Sequence, residues 1–183
     1  MKNAAENRSR VVKAASSLLR QNGVDGLHID GLMAEAGLTR GGFYKMFGSK
    51  DALNAEACTS AFEGASNSWE TILAGAEKGR LRRLADYYFE PKPAGSQCPL
   101  AALSGDAARA PSDSPLRQAF TAGLQKLVGL LSKDKKKDEE LAALAAMVGA
   151  LVLERASDDK DLANAIRSAV LRLASGDGDP SGA

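Results

Sequence analysis

Leu38-Thr39-Arg40-Gly41-Gly42-Phe43-Tyr44-Lys45-Met46-Phe47, preceded by Ala36-Gly37, decides how the whole chain is read. Gly37 can take the positive φ that closes one helix. Thr39 can cap the next helix through its hydroxyl. Two short helices joined by a turn of three or four residues containing Gly make a helix-turn-helix. Phe43 and Phe47 are four apart and share one face, which predicts that they pack inward. Arg40, Gly41, Tyr44 and Lys45 are then left outward. Two adjacent glycines cost about 1 kcal/mol each in a helix interior. Gly41-Gly42 therefore points to close approach by a phosphate or a base edge, the alternative being a weak, loop-like segment.

Upstream, Val11, Ala15, Leu18 and Leu19 form one apolar stripe and predict a first helix over 8–22, ended by Gly23. Arg8, Arg10, Lys13 and Arg20 lie mostly outside the stripe; Arg8 and Arg10 either reach phosphates or sit on a solvated face. A second helix is expected over 29–36, with Ile29, Leu32 and Met33 inward. The lone histidine, His28, stands at its start. It is either a phosphate contact near a helix N-terminus or an exposed residue of the capping region.

The stretch resembles a family signature. Thr39-x-Gly41-x-x-Tyr44-x-x-Phe47-x-Ser49-Lys50-x-x-Leu53 is similar to that of TetR-type transcriptional repressors. So are Gly23-Val24-Asp25-Gly26 and Ile29-x-x-Leu32-x-x-x-Ala36-Gly37-Leu38 upstream, and the resemblance covers about residues 8 to 56. Two places depart: the family usually has Thr or Ser where Leu27-His28 stands, and often His where Met46 stands, positions that typically face phosphates. The resemblance implies an all-α protein of about nine helices. It implies a three-helix DNA-binding head over 1–48 and a ligand-binding and dimerisation body over 49–175. Lys50, poorly placed for the dipole of a helix capped by Ser49, is well placed if a phosphate lies there, the role the resemblance implies.

The body reads as helices throughout. One is expected from Ser49 to about residue 76, where Leu53, Ala57, Phe62, Trp69, Ile72 and Leu73 supply apolar positions. In TetR-like proteins this helix links head to body. Leu81, Leu84, Ala85, Tyr88 and Phe89 mark a fifth helix, and Pro91–Gln97 a loop. Pro99 at a first helical position makes Cys98 an N-cap. A thiol there is a candidate sensor of electrophiles or oxidants, or else a small buried apolar residue; Cys58 is read as structural. A seventh helix follows Pro115, and the charge run 132–140 reads as a solvated turn. Residues 140–155 are apolar all round, so that helix must be covered on both sides. With a last helix over 159–174, it suits a homodimer interface across a two-fold axis, or a buried central helix in a monomer. Residues 176–183 read as a disordered tail.

Composition is that of a globular chain, with 44% hydrophobic and 26% charged residues among 183. No apolar run is long enough to span a membrane, and no signal peptide is read at the start. Two cysteines suit a reducing cytoplasm. Residues 1–50 hold eight Lys/Arg against four Asp/Glu, a charge of +4, and the remainder carries −3. A basic head on a neutral-to-acidic body fits binding to double-stranded DNA.

The resulting expectation is a dimeric, ligand-responsive repressor that binds a palindromic operator and is released by a small molecule or electrophile. Arg40 is the candidate for base readout, with guanine its partner. Thr39, Tyr44 and Lys50 hold phosphates, and Lys45 does either. Phe62, Trp69, Tyr87, Tyr88, Cys98 and Phe120 are candidate lining for an effector pocket, or plain core. No catalytic constellation, cofactor motif or metal-ligand pairing is read. The rival is a helical ligand-binding or interaction protein with no role on DNA.

Overall fold

The computed structural model describes residues 2–76, 78–131 and 137–175. Among them run nine α-helices and no strand. They are α1 (Lys2–Asn22), α2 (Ile29–Glu35), α3 (Arg40–Phe47), α4 (Lys50–Leu73), α5 (Arg80–Phe89), α6 (Pro99–Arg109), α7 (Pro115–Leu131), α8 (Lys137–Ala156) and α9 (Lys160–Ser175). The expected tail, 176–183, and residues 132–136 of the charge run lie outside the described residues.

Boundaries differ from the sequence reading at α1, α4 and α8; the last starts at Lys137, so residues 137–140 of the charge run read as a turn are its first helical turn, where Asp138, Glu139 and Glu140 suit the helix dipole. α1 begins six residues earlier than residue 8, at Lys2. Residues 2–7 contain helix formers but no large apolar side chain, so a reading based on apolar periodicity is blind to them. α4 stops at Leu73 rather than near 76, where Gly75 turns with φ +67°.

The chain forms two compact units, Met1–Ala65 with Lys92–Gln125, and Ser66–Pro91 with Lys126–Ala183. Two of the three boundaries fall inside α4 and α7, and the third in the loop after α5. In the first unit Val11, Ala15 and Leu19 of α1 are fully buried, as the stripe requires, together with Leu27, Phe43, Leu53, Ala57 and Cys58. The 91–98 loop lies against α1. Its turn needs φ +76° at Gly95, and a Cβ there would sit 1.8 Å from Ser17 Oγ. Both facts restrict the position to glycine. Phe62 packs edge-on against Phe120, ring centroids 5.4 Å apart.

In the second unit α8 and α9, joined by a short connection, pack side by side with α5 against both. Asp159 caps α9, its Oδ1 accepting from the N–H groups of Asp161 and Leu162 at 2.9 and 3.0 Å. Arg80 donates to Leu73 O, at the end of α4, and to Leu130 O. Arg167 pairs with Glu154 and lies over the Phe89 ring. One side of α8 is buried through Ala143, Leu144, Met147, Ala150 and Leu151. The other side is not: Leu141, Val152 and Leu153 of α8 and Leu162 and Leu173 of α9 are exposed.

Candidate nucleic-acid interface

The turn before α3 closes by backbone geometry. Gly37, at φ +69°, donates to Ala34 O at 3.0 Å, and Leu38 N–H donates to Met33 O at 2.8 Å. These bonds satisfy the last carbonyls of α2. Thr39 then starts α3 in extended conformation, its Oγ1 accepting from Gly42 N–H at 3.3 Å. The Gly and Thr thus do what the sequence assigned to them.

α3 divides by face as expected. Phe43 and Phe47 are buried with centroids 5.5 Å apart, fixing the helix on the first unit's core. Tyr44 is 51% exposed although its ring edge touches Phe43. Thr39, Arg40, Gly41 and Lys45 are exposed beside it. An ideal Cβ on Gly41 would meet nothing within 4 Å, and one on Gly42 only ordinary contacts. No packing inside the chain requires either glycine.

Arg40 is engaged from a direction the sequence did not suggest. Its Nη1 donates to Asp30 Oδ2 at 3.1 Å, and both side chains are about two-thirds exposed. Such a pair contributes about 0–1 kcal/mol. Asp30 therefore orients the guanidinium without locking it away from another acceptor. Lys50 is half-buried in the first turn of α4, which Ser49 caps by accepting from Ala52 N–H at 3.1 Å. His28 is the exposed N-cap residue of α2 and makes no side-chain capping bond. Leu27, one of the two departures from the family pattern, is fully buried and serves the core.

Arg8 and Arg10 tie α1 to α4 and to the end of α2. Arg8 forms a two-pronged pair with Glu56 of α4 and lies over the Phe47 ring, 4.8 Å from its centroid. Arg10 donates to Ala36 O, the C-cap of α2, at 2.8 Å. Sequence spacing gave no signal for either, since the contacts span 48 and 26 residues.

Phe62, Phe120 and half-buried Cys98 belong to the first unit, and Trp69, Tyr87 and Tyr88 to the second. Trp69 and Tyr88 meet edge-on at 6.5 Å. Cys98 is the N-cap of α6 with Pro99 behind it, as read, but caps without a side-chain hydrogen bond. Cys58 is fully buried, and burial pushes its thiol from 9.0 up to about 12. A thiol reagent at neutral pH should modify Cys98 and leave Cys58 untouched until the chain unfolds, as peptide mass mapping would read. Between pH 9 and about 12 the unfolded chain loses the Cys58 proton while the folded chain keeps it. That group therefore lowers stability as pH rises through this window. Among the described residues no group of His, Cys, Asp and Glu is placed to hold a metal ion, and no helix is long and apolar enough to cross a membrane.

Residues 11–57 match the family model described as bacterial regulatory proteins, tetR family. None of the curated protein sequences is a significant match to the chain. Among solved structures, a TetR-family regulator from Cytophaga hutchinsonii is similar with TM-score 0.78 at 15% identity, over 96% of each chain. A TetR regulator from Chloroflexus aurantiacus J-10-FL is similar with TM-score 0.76 at 23% identity, over 93% of this chain and 95% of that one. The multidrug binding protein EbrR complexed with proflavin is similar with TM-score 0.64 at 22% identity, over 91% and 99%. The nine-helix fold is that of a helix-turn-helix head continued by a helical body. Residues 11–57 are thus similar to the tetR family of bacterial regulatory proteins, and the whole chain shares the fold of the TetR-family structures it resembles.

Proposed function

We propose that the chain is a ligand-responsive repressor that binds a palindromic operator as a homodimer and leaves it when a small effector binds. The observation that carries this reading is the outward face of α3: exposed Tyr44, Arg40 and Lys45 beside an open Gly41, on a helix held by two buried phenylalanines. Arg40 reads a base, most simply guanine through a bidentate contact. Thr39, Tyr44, Lys50 and His28 hold phosphates and set the register, and Lys45 serves either purpose. Residues 1–48 are the DNA-binding part, 49–175 the effector-binding and dimerising part, and the protein works in the cytoplasm without catalysing a reaction.

The α8–α9 surface supports the homodimer. Five of the six large apolar side chains exposed among the described residues lie on it. Leu141, Ala145, Val148 and Val152 follow helical spacing along α8, and Leu162, Ala165, Ala169 and Leu173 along α9. A Cβ on Gly149 would meet nothing within 4 Å, leaving room for a facing helix. A two-fold axis then presents two α3 helices to successive major grooves about 34 Å apart. Phe62, Phe120 and Cys98 in one unit, and Trp69, Tyr87 and Tyr88 in the other, are the proposed lining of effector space. That EbrR, on the same fold, is described with proflavin bound supports an effector-responsive body.

The test is binding to a duplex from the DNA flanking the gene. Tyr44→Ala should weaken it at every salt concentration. Lys50→Ala should lower the slope of log affinity on log salt by about 1. Unchanged binding in both variants would remove α3 and the start of α4 from the interface.

A further inference from the structure

Arg40 stands where a helix disfavours a cation. It is the first residue of α3, at the positive pole of the helix dipole. Thr39 does the capping there, accepting from Gly42 N–H. Asp30 stands in the first turn of α2, where an acid is favoured. Their pair joins the starts of the two helices of the helix-turn-helix, both within the first unit. Among the described residues neither side chain has another hydrogen-bond or ion-pair partner.

The bond leaves part of the guanidinium unused. Nη1 donates to Asp30 Oδ2 at 3.1 Å, while Nε and Nη2 have no acceptor among the described residues. Those two nitrogens form one edge of the planar fork, and its parallel N–H donors suit O6 and N7 of guanine. A carboxylate on Nη1 and a guanine on the Nε–Nη2 edge can therefore be held at once. Charge gives Asp30 a second effect. An unpaired arginine on a DNA-facing helix is attracted to any phosphate, which raises affinity without regard to sequence. Beside Asp30 that charge is offset, and the pair strengthens as docking excludes water from it. Where Arg40 turns away, the bare carboxylate is repelled by the phosphates.

We propose that Asp30 sets the base specificity of the head: it withholds the Arg40 guanidinium from phosphates and holds it with the Nε–Nη2 edge toward guanine. Asp30 is a positioning residue that acts through Arg40, and this role depends on the DNA-binding reading of α3 above. An acid on the surface offered to DNA then lowers affinity for every sequence and raises discrimination between sequences.

The test recovers bound duplexes from a random-sequence pool with the full-length protein and reads them by sequencing. Affinity for an unselected random duplex is titrated against salt alongside. Wild type should recover a site containing a guanine whose preference falls about fivefold or more in Arg40→Ala. Asp30→Asn should lower preference at that same guanine about twofold or more and leave the other positions as they were. On the unselected duplex Asp30→Asn should bind more tightly than wild type, with a salt slope steeper by up to about 0.9 per head. A variant that was merely damaged would not gain affinity for random DNA. Asp30→Glu keeps the charge and should keep the wild-type preference. Glu35→Gln removes an acid of α2 that does not pair with Arg40 and should leave the guanine unaffected. Asp30 and Glu35 are both exposed, so folding is not at issue in these variants. The proposal is overturned by a guanine preference that survives Arg40→Ala or Asp30→Asn, by an equal loss at every position, or by weaker binding of random DNA in Asp30→Asn. Any of these with sequence-selective wild type defeats this inference alone. Wild type that binds no DNA at low salt, or recovers no preferred sequence, defeats the regulator reading and this inference with it.

Discussion

A chain carrying both Leu153→Glu and Leu162→Glu should stay helical, sediment as a monomer and lose roughly 100-fold or more of its DNA affinity. The two side chains are 54% and 52% exposed in the single chain, so charging them removes little that holds it together. Surface changes of this kind shift stability by about 0.5 kcal/mol or less. In the proposed dimer the same positions lie on the exposed apolar surface that α8 and α9 present to the partner. Four buried carboxylates without counter-charges there cost more than a helix-pair interface supplies. The loss on DNA follows from separating the heads, because joining two binding modules raises affinity about 10²- to 10⁴-fold. Analytical ultracentrifugation with circular dichroism checks the first part, and operator titration the second. A dimer that survives both substitutions would place the interface on another surface.

Gly123→Ala should cost about 1–3 kcal/mol, the usual range for forcing an extra carbon into a packed core. In the first unit a Cβ on Gly123 of α7 would lie 2.1 Å from Phe62 Cγ, with two more ring atoms inside 2.7 Å. Phe62 has little freedom to retreat, being 2% exposed with Phe120 edge-on against it. For a chain of this size the penalty lowers the melting temperature by several degrees. Gly64→Ala and Gly129→Ala are the internal controls. Nothing lies within 4 Å of either Cβ, and helix propensity predicts a gain of up to about 1 kcal/mol. Thermal unfolding of the three variants separates steric contact from propensity. Equal melting temperatures would mean that the Phe62 ring relaxes freely.

The head was legible because its signals are local. A capping threonine, a turn glycine and two phenylalanines four apart fix the ends and faces of α3 within eleven residues of chain. The same logic found Cys98 as an N-cap and Ser49 as the start of α4. What escaped depends on contacts between distant segments. Arg8 with Glu56, Gly95 against Ser17 and Gly123 under Phe62 leave no periodic trace. Arg40 with Asp30 escaped for a different reason: ten residues apart across a turn, they fall outside any helical pairing rule. The all-apolar stretch of α8 was read correctly as a helix. Which of its residues are buried and which are exposed is visible only in the structure.

The measurement that bears most directly on the central claim is the salt dependence of wild-type binding to the flanking duplex, against a random duplex of equal length. A preference for the flanking sequence, with affinity that falls steeply and linearly in log salt, is the predicted result. Each neutralised phosphate adds about 0.9 to that slope, so two heads should produce a slope of several units. Failure to bind either duplex at low salt would contradict the DNA-binding reading of α3, leaving the helical body as the functional part of the chain.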